Sequence, residues 1–309
     1  MPTTTAVSSN YEGKVAGALI GKAYKEGDTL KKGLITLAPN VNFKLNMRRI
    51  QYADGRQAYS CGFNPAGSVT LDERVLQPTK LKIDHEICKE DFRATWDEDS
   101  FGPSANNDQF AANIRSAIIA EALASHAEEA DRMIWQGLDA NADEWGGFIE
   151  LFTADGSVIK HSNGLTSLGA PITKANVTDA FDAATDAVPV ALRKKPLVMG
   201  VSPDVTDAYY KRLIDEGIAN GLGGDANTLP KYGRYMPMEI GGLPDNTIVI
   251  YEKKNLLFGT GLAADHNRIV AKDMDDLLLD GNVRFKMVFN GGCQYYNSEE
   301  IVWYVSTAA

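Results

Sequence analysis

An α+β fold carrying a long two-stranded excursion is what this 309-residue sequence predicts, on three observations. Apolar and charged residues alternate at 43–48 and again at 80–87, the period of half-buried strands. Between 108 and 138 apolar residues instead recur every three or four positions, the period of a long helix. Farther on, "PLVMGVSP" reads as a buried strand running straight into a helix, the joint of an α/β region.

Residues 1–40 mix small and charged residues without a sustained period and are expected to form an extended or loosely helical arm. Phe43, Leu45 and Met47 then alternate with Lys44, Asn46 and Arg48, a strand with one face to bury. In "RRIQYADGRQAYSCGF", Asp54-Gly55 stands between two strand-like runs and predicts a hairpin, because a type I′ turn needs positive φ at both central residues. Leu81, Ile83, His85 and Ile87 alternate with Lys80, Lys82, Asp84 and Glu86 and close an expected ribbon over 41–95. An isolated ribbon is marginal in water, so this one is expected to rest on something else.

The longest helix is predicted over 108–138, with Asn106-Asn107-Asp108 as caps and Gly137 near its end. Ile119, Leu123, Ala127, Ala130 and Ile134 fall on one face, and some thirty residues make a rod of about 45 Å. "FIELFTADGSVIKHSNGL" then reads as strands around turns. A second helix puts Val177, Phe181, Ala184 and Val188 on one face and ends near Pro189. Ser202 as N-cap, Pro203 at the first position and Asp204 at the positive dipole end start a third. In "LPDNTIVIYEKKNLLFGTGL" a turn at Pro244-Asp245-Asn246, a buried strand Thr247–Tyr251 and a second turn at Gly259-Thr260-Gly261 are expected. The chain closes with Val283, Phe285, Met287 and Phe289 alternating, a turn at Asn290-Gly291-Gly292 and the apolar run Ile301–Val305.

With 44% hydrophobic and 23% charged residues the chain is globular and long enough to bury a sizeable core. It has no run of about eighteen apolar residues, and "MPTTTAVSSNYEGK" lacks the basic and apolar regions of a signal peptide, so a soluble protein made in the cytosol is expected. Cys61, Cys88 and Cys293 are odd in number and far apart, which argues for buried free thiols. Residues 1–50 hold eight Lys/Arg against three acids, so that +5 sits on a remainder of −15 in a chain of net charge −10. A basic segment on an acidic body fits nucleic acid or the body of a neighbouring copy; the neighbour is favoured, since aromatics between the basic residues are sparse. The acidic remainder predicts a loose hold on duplex DNA.

Catalytic and ligand motifs fall short one by one. "GKVAGALIGKA" has three residues between its glycines and Ala23 where a phosphate loop needs Ser or Thr, and Leu262 replaces the lysine after Gly259-Thr260-Gly261. "HEICK" lacks the second histidine of a zinc protease, and His85, His126, His161 and His266 are scattered. Ser202 in "GVSPD" lacks the glycine of a nucleophile elbow and reads as a cap. Asp273, Asp275, Asp276 and Asp280 lack the glycine and glutamate of a calcium loop and read as a solvated helix end.

The order of these parts, with "VTLDERVLQPTKLKIDHEICKEDF", "LPDNTIVIYEKKNLLFGTG" and "VRFKMVFNGGCQYYNSEEIVWYV", resembles the major capsid proteins of tailed double-stranded-DNA bacteriophages, the fold named after phage Hong Kong 97 and shared with herpesviruses and encapsulins. "NYEGKVAGALIGKAYKEGDTLKKGLI" and "CGFNPAGSVTLDERVL" are similar to the capsid proteins of crAss-like phages in particular. The resemblance implies an N-terminal arm over 1–40, an extended loop over 41–95, a peripheral domain over 96–164 with spine helix 108–138, an axial domain over 165–265 and return strands over 266–309. It implies a non-enzymatic shell protein without cofactor or metal that self-assembles into hexamers and pentamers around viral DNA, in a virion built in the host cytoplasm, without membrane contact. Portal, a separate scaffolding protein and decoration proteins are the implied partners, and DNA is enclosed without specific binding. Met1 close to the arm favours separate scaffolding, and nothing beside Lys44 or Lys82 suggests the covalent cross-link of some members. Assembly contacts are expected at Lys31, Lys32, Lys44, Arg48, Arg49, Asp54, Gly55, Lys80 and Lys82. An encapsulin-like compartment, or an α/β enzyme of a phosphate-bearing ligand, stands as the alternative.

Overall fold

The computed structural model describes residues 10–11, 28–41, 43–88, 112–217, 230–261, 269–274 and 282–306. In chain order these form β1 (Asn10–Tyr11), α1 (Asp28–Lys31), β2 (Thr36–Ala38), β3 (Leu45–Tyr52), β4 (Val69–Leu76), β5 (Thr79–Cys88), α2 (Ala112–Gln136), α3 (Phe148–Ala154) and β6 (Ile159–Lys160). Then come α4 (Val177–Asp186), β7 (Leu197–Val201), α5 (Pro203–Asp215), β8 (Pro237–Glu239), β9 (Thr247–Glu252), β10 (Leu256–Gly259), β11 (Ile269–Asp273), β12 (Asn282–Tyr295) and β13 (Ile301–Val305).

Two sheets and a ribbon organise them. The six-stranded sheet runs β1-β11-β12-β10-β2, with β5 also paired to β12; the five-stranded sheet runs β6-β13-β9-β7-β8; among the described strands β3 and β4 pair only with each other. In the five-stranded sheet, Val249, Tyr251, Ile301 and Trp303 face one core while Ile248, Ile250, Val302 and Tyr304 face the other. Burial on both faces explains why β9 and β13 read as unbroken apolar runs. The first core is walled by α2, whose Ile119, Ala127, Ala130 and Ile134 are buried as the helical period predicts. The second is closed by α4 and α5 through Phe181, Tyr209 and Leu213.

The alternation at the end of the chain holds: Val283, Phe285, Met287 and Phe289 are buried on β12. The turn expected at Asn290-Gly291-Gly292 does not form, because β12 runs through it, pairing Gly291 with Thr79 and Gly292 with Gly259. Those glycines answer to close packing: a Cβ on Gly291 would lie 2.7 Å from the ring of Trp145, which is itself fully buried. "FIELFTA" is likewise a helix, α3, and not a strand. Phe148 and Phe152, four apart, enter an aromatic cluster with Trp135 (5.3 Å between centroids), Tyr295 (5.7 Å) and Trp303 (6.2 Å).

Three further expectations change. β5 does not pair within the 41–95 ribbon; its partner is β12, over Thr79↔Gly291 to Cys88↔Asn282, because its apolar alternates complete the sheet that α2 covers. The thiols are free, but Cys293 alone is buried and pushed well above the usual range by that burial; Cys88 is half-buried and Cys61 exposed. Asp273 ends a strand, not a helix, and Asp275, Asp276 and Asp280 lie outside the described residues, as do the caps Asn106–Asp108. No described helix is long and apolar enough to cross a membrane.

Candidate functional site

Among the described residues, the ribbon carries a run of large apolar side chains that its own chain leaves exposed. Pairing of Leu45↔Leu76 through Tyr52↔Val69 puts opposite residues on the same face. At its root Met47 and Leu76 pack with Val41 and Leu257 in a small apolar cluster. Farther out, that face carries the polar pairs Arg49/Asp72 and Gln51/Thr70. The other face carries Ile50/Leu71 and Tyr52/Val69, and these four are 62–72% exposed. An exposed contiguous apolar face of this kind marks a surface to be covered.

The Asp54-Gly55 turn does not close the hairpin. Gly55 is not among the described residues with positive φ, and the strands are joined by residues 53–68, folded back through Ala53 N–H donating to Ser68 O at 2.8 Å. Gly55 is still required sterically, since a Cβ there would meet Ala66 O at 2.1 Å. Beyond this neck Tyr59 and Phe63 are each 95% exposed.

Two ion pairs help to hold the ribbon to the body, beside a hydrogen bond from Gln294 Nε2 to Val75 O at 3.2 Å. Arg74 Nη2 donates to Asp155 Oδ2 at 2.5 Å, and its guanidinium lies 4.4 Å from the ring centroid of Tyr295. The Tyr295 hydroxyl donates to the same carboxylate oxygen at 2.9 Å, and Ser157 N–H to the other at 2.9 Å. Burial alone would raise the Asp155 carboxyl, but the hydrogen bonds from Arg74, Ser157 and Tyr295 outweigh it and hold it at about 2. Burial, and then the carboxylate, push the Tyr295 hydroxyl up. The second tie is Arg49 Nη2 to Glu299 Oε2 at 3.3 Å.

The nine residues expected to make assembly contacts are not gathered into one patch. Lys31 is exposed at the end of α1, and Lys32 Nζ donates to Glu239 O at 2.8 Å. Lys44 lies 5.3 Å from the Phe43 ring centroid, and Arg48 faces Glu73 across the ribbon at 3.8 Å. Asp54 pairs with Arg56 at 2.5 Å; Lys80 and Lys82 project from β5, Lys82 beside Asp84 at 2.5 Å. Arg49, expected to seek an acidic neighbour, meets an acid of its own chain. Ser202 occupies the predicted cap position of α5, yet its hydroxyl accepts from Thr247 N–H at 3.2 Å and tethers the helix start to β9. A Cβ on Gly259 would meet Leu76 at 2.2 Å and one on Gly261 would meet Asn290 at 2.7 Å, so both glycines answer to close packing.

Sequence reasoning missed the anchor Arg74–Asp155–Tyr295, whose members lie far apart in the chain, and the outward apolar face, although Val69 and Leu71 do alternate with Thr70 and Asp72. It also missed that His85 and His126 stack, with centroids 6.1 Å apart, joining β5 to α2. Among the described residues no group of three His, Cys, Asp or Glu is placed to hold a metal.

A long helix against a sheet, a sandwiched five-stranded sheet and a projecting ribbon make up a fold shared with Hong Kong 97-type capsid chains. Solved structures bear this out. A chain of the capsid of the native GTA particle aligns with TM-score 0.61 at 11% identity over 100% of this chain and 96% of that one. The satellite phage P4 procapsid aligns with TM-score 0.55 at 13% identity over 94% and 99%, and Gordonia phage Cozz with 0.55 at 12% over 90% and 86%. No protein-family model and no curated protein matches the sequence.

Proposed function

We propose that this chain is a major capsid protein of a tailed bacteriophage, assembling into the hexamers and pentamers of an icosahedral shell that encloses double-stranded DNA. The observation that carries the reading is the outward apolar face of the ribbon, Ile50/Leu71 and Tyr52/Val69, on a fold whose solved relatives are capsid chains. A neighbouring copy covers that face and the aromatic tip, and the Arg74 and Arg49 ties set the angle at which the ribbon is presented. In this reading residues 1–40 are the arm, 41–95 the extended loop, 96–164 and 266–309 the peripheral domain and 165–265 the axial domain. Portal, scaffolding and decoration proteins are its partners, the virion its location, and the likeness to crAss-like phage capsid proteins belongs to the same proposal.

The test is assembly of the expressed chain followed by electron microscopy and size-exclusion chromatography. Wild type is expected to form closed particles, and Ile50→Asp with Leu71→Asp to leave folded subunits that do not. A small closed oligomer insensitive to that change overturns the shell reading. Particles from cells that hold protein and no nucleic acid move it to a cargo compartment.

A further inference from the structure

The outer face of the six-stranded sheet gathers cations on an acidic chain. Because paired residues share a face, Lys80, Lys82, Asp84 and Glu86 of β5 stand in register with Asn290, Val288, Lys286 and Arg284 of β12, and Arg284 in turn with Lys272 of β11. The buried alternates of the same strands point to α2, so this charged side is turned away from the core. Five cations and two carboxylates thus occupy three adjacent strands, in rows about 4.8 Å apart with about 6.7 Å between alternate residues. Both carboxylates are engaged, Asp84 by Lys82 at 2.5 Å and Glu86 by Arg284 at 3.1 Å. Among the described residues Lys80, Lys272 and Lys286 have no carboxylate within ion-pair distance, and all three are exposed.

We infer that this basic sheet face docks on an acidic surface of a second copy of the chain, as an electrostatic contact separate from the ribbon. The inference rests on the shell reading and names a second contact that such a shell uses. Copies of net charge −10 repel one another as they approach, and contact is favoured where local cations meet the acidic remainder. The two carboxylates within the face argue against a phosphate backbone, which they would repel, and suit a protein surface of mixed sign. A patch of one dominant sign is not self-complementary, so the contact is head-to-tail and generates rings or shells, not an isolated two-fold dimer.

Sedimentation velocity and light scattering across salt test it, on wild type, on the triple variant Lys80→Glu/Lys272→Glu/Lys286→Glu and on the milder Lys→Gln triple. Circular dichroism controls for folding. Wild-type assembly should weaken as salt rises from about 0.05 M to about 0.5 M. The Glu triple should need about tenfold more protein to assemble at the lower salt and lose most of its salt dependence, with the Gln triple between. If wild type assembles and the Glu triple matches it at every salt, this contact is wrong and the shell reading stands. If wild type never assembles, the shell reading and the contact fall together. If the triple assembles normally but loses a salt-sensitive binding to duplex DNA that wild type shows, the face is a nucleic-acid surface and the inference is overturned.

Discussion

β9 and β3 are both strands rich in large apolar side chains, and the two use them in opposite ways. In β9, Thr247 to Tyr251 are all buried, between α2 on one side and α4 and α5 on the other. In β3, Ile50 and Tyr52 point away from the body while Arg49 on the other face reaches back to Glu299. Apolar surface removed from water is worth roughly 25 cal/mol per Å² wherever it is buried. In β9 that gain belongs to the single chain. In the ribbon it is deferred until another surface arrives.

The largest loss of subunit stability is expected in the body. Trp145→Ala empties a fully buried site between Phe258, Phe289 and Gly291 and is expected to cost about 3–5 kcal/mol, read by denaturant unfolding of the subunit. Next comes the joint between the regions. Asp155→Ala strips Arg74 and Tyr295 of their shared acceptor and should cost about 2–3 kcal/mol, with faster amide exchange in β3 and β4 than in β9.

Acid should loosen the same joint. The folded Asp155 carboxyl sits near 2, below its ordinary 3.8, so its contribution of about 2 kcal/mol is complete above 3.8 and lost as pH falls through 2. Asp155→Asn should abolish that part of the pH dependence in acid titrations. His126 works higher on the scale: burial and then His85 lower its value from 6.5, so the stabilisation from its neutral form is present above 6.5 and lost as pH falls below. Replacing His126 with Gln should flatten the fall in unfolding stability as pH drops below 6.5.

The smallest effect on the subunit is expected on the ribbon's open face. Ile50→Ser with Leu71→Ser should change monomer stability by no more than about 0.5 kcal/mol while abolishing particles. Gly55→Val should likewise spare the main core and displace the tip, through collision with Ala66 O. A large loss of monomer stability from either variant would mean that the ribbon belongs to its own chain's core.

Much of the fold was legible because period survives without context. The spacing of Ile119, Ala127, Ala130 and Ile134 predicted α2, and the unbroken run Thr247–Tyr251 predicted a buried strand. Alternation cannot say which partner or which face a strand uses, and so β5 was joined to the wrong strand and the outward face of β3 went unseen. Glycine misled for a related reason. At Gly291 it marks room for the Trp145 ring, contributed from 146 residues earlier in the chain, and at Asp54-Gly55 it marks a neck set by Ala66. The anchor was invisible because Arg74, Asp155 and Tyr295 meet only once three elements are packed.

β12 has a mechanical consequence. Its fourteen residues extend about 46 Å, paired along their length with β5, β11 and β10, and they end at Tyr295, under the Arg74 guanidinium. A pull on the ribbon therefore reaches β12 at its end, through Tyr295. The component of such a pull along β12 loads the hydrogen bonds of its three ladders together, in shear, whereas a sideways component would open them one after another. Load on the ribbon is thereby shared with β12, the longest of the described strands.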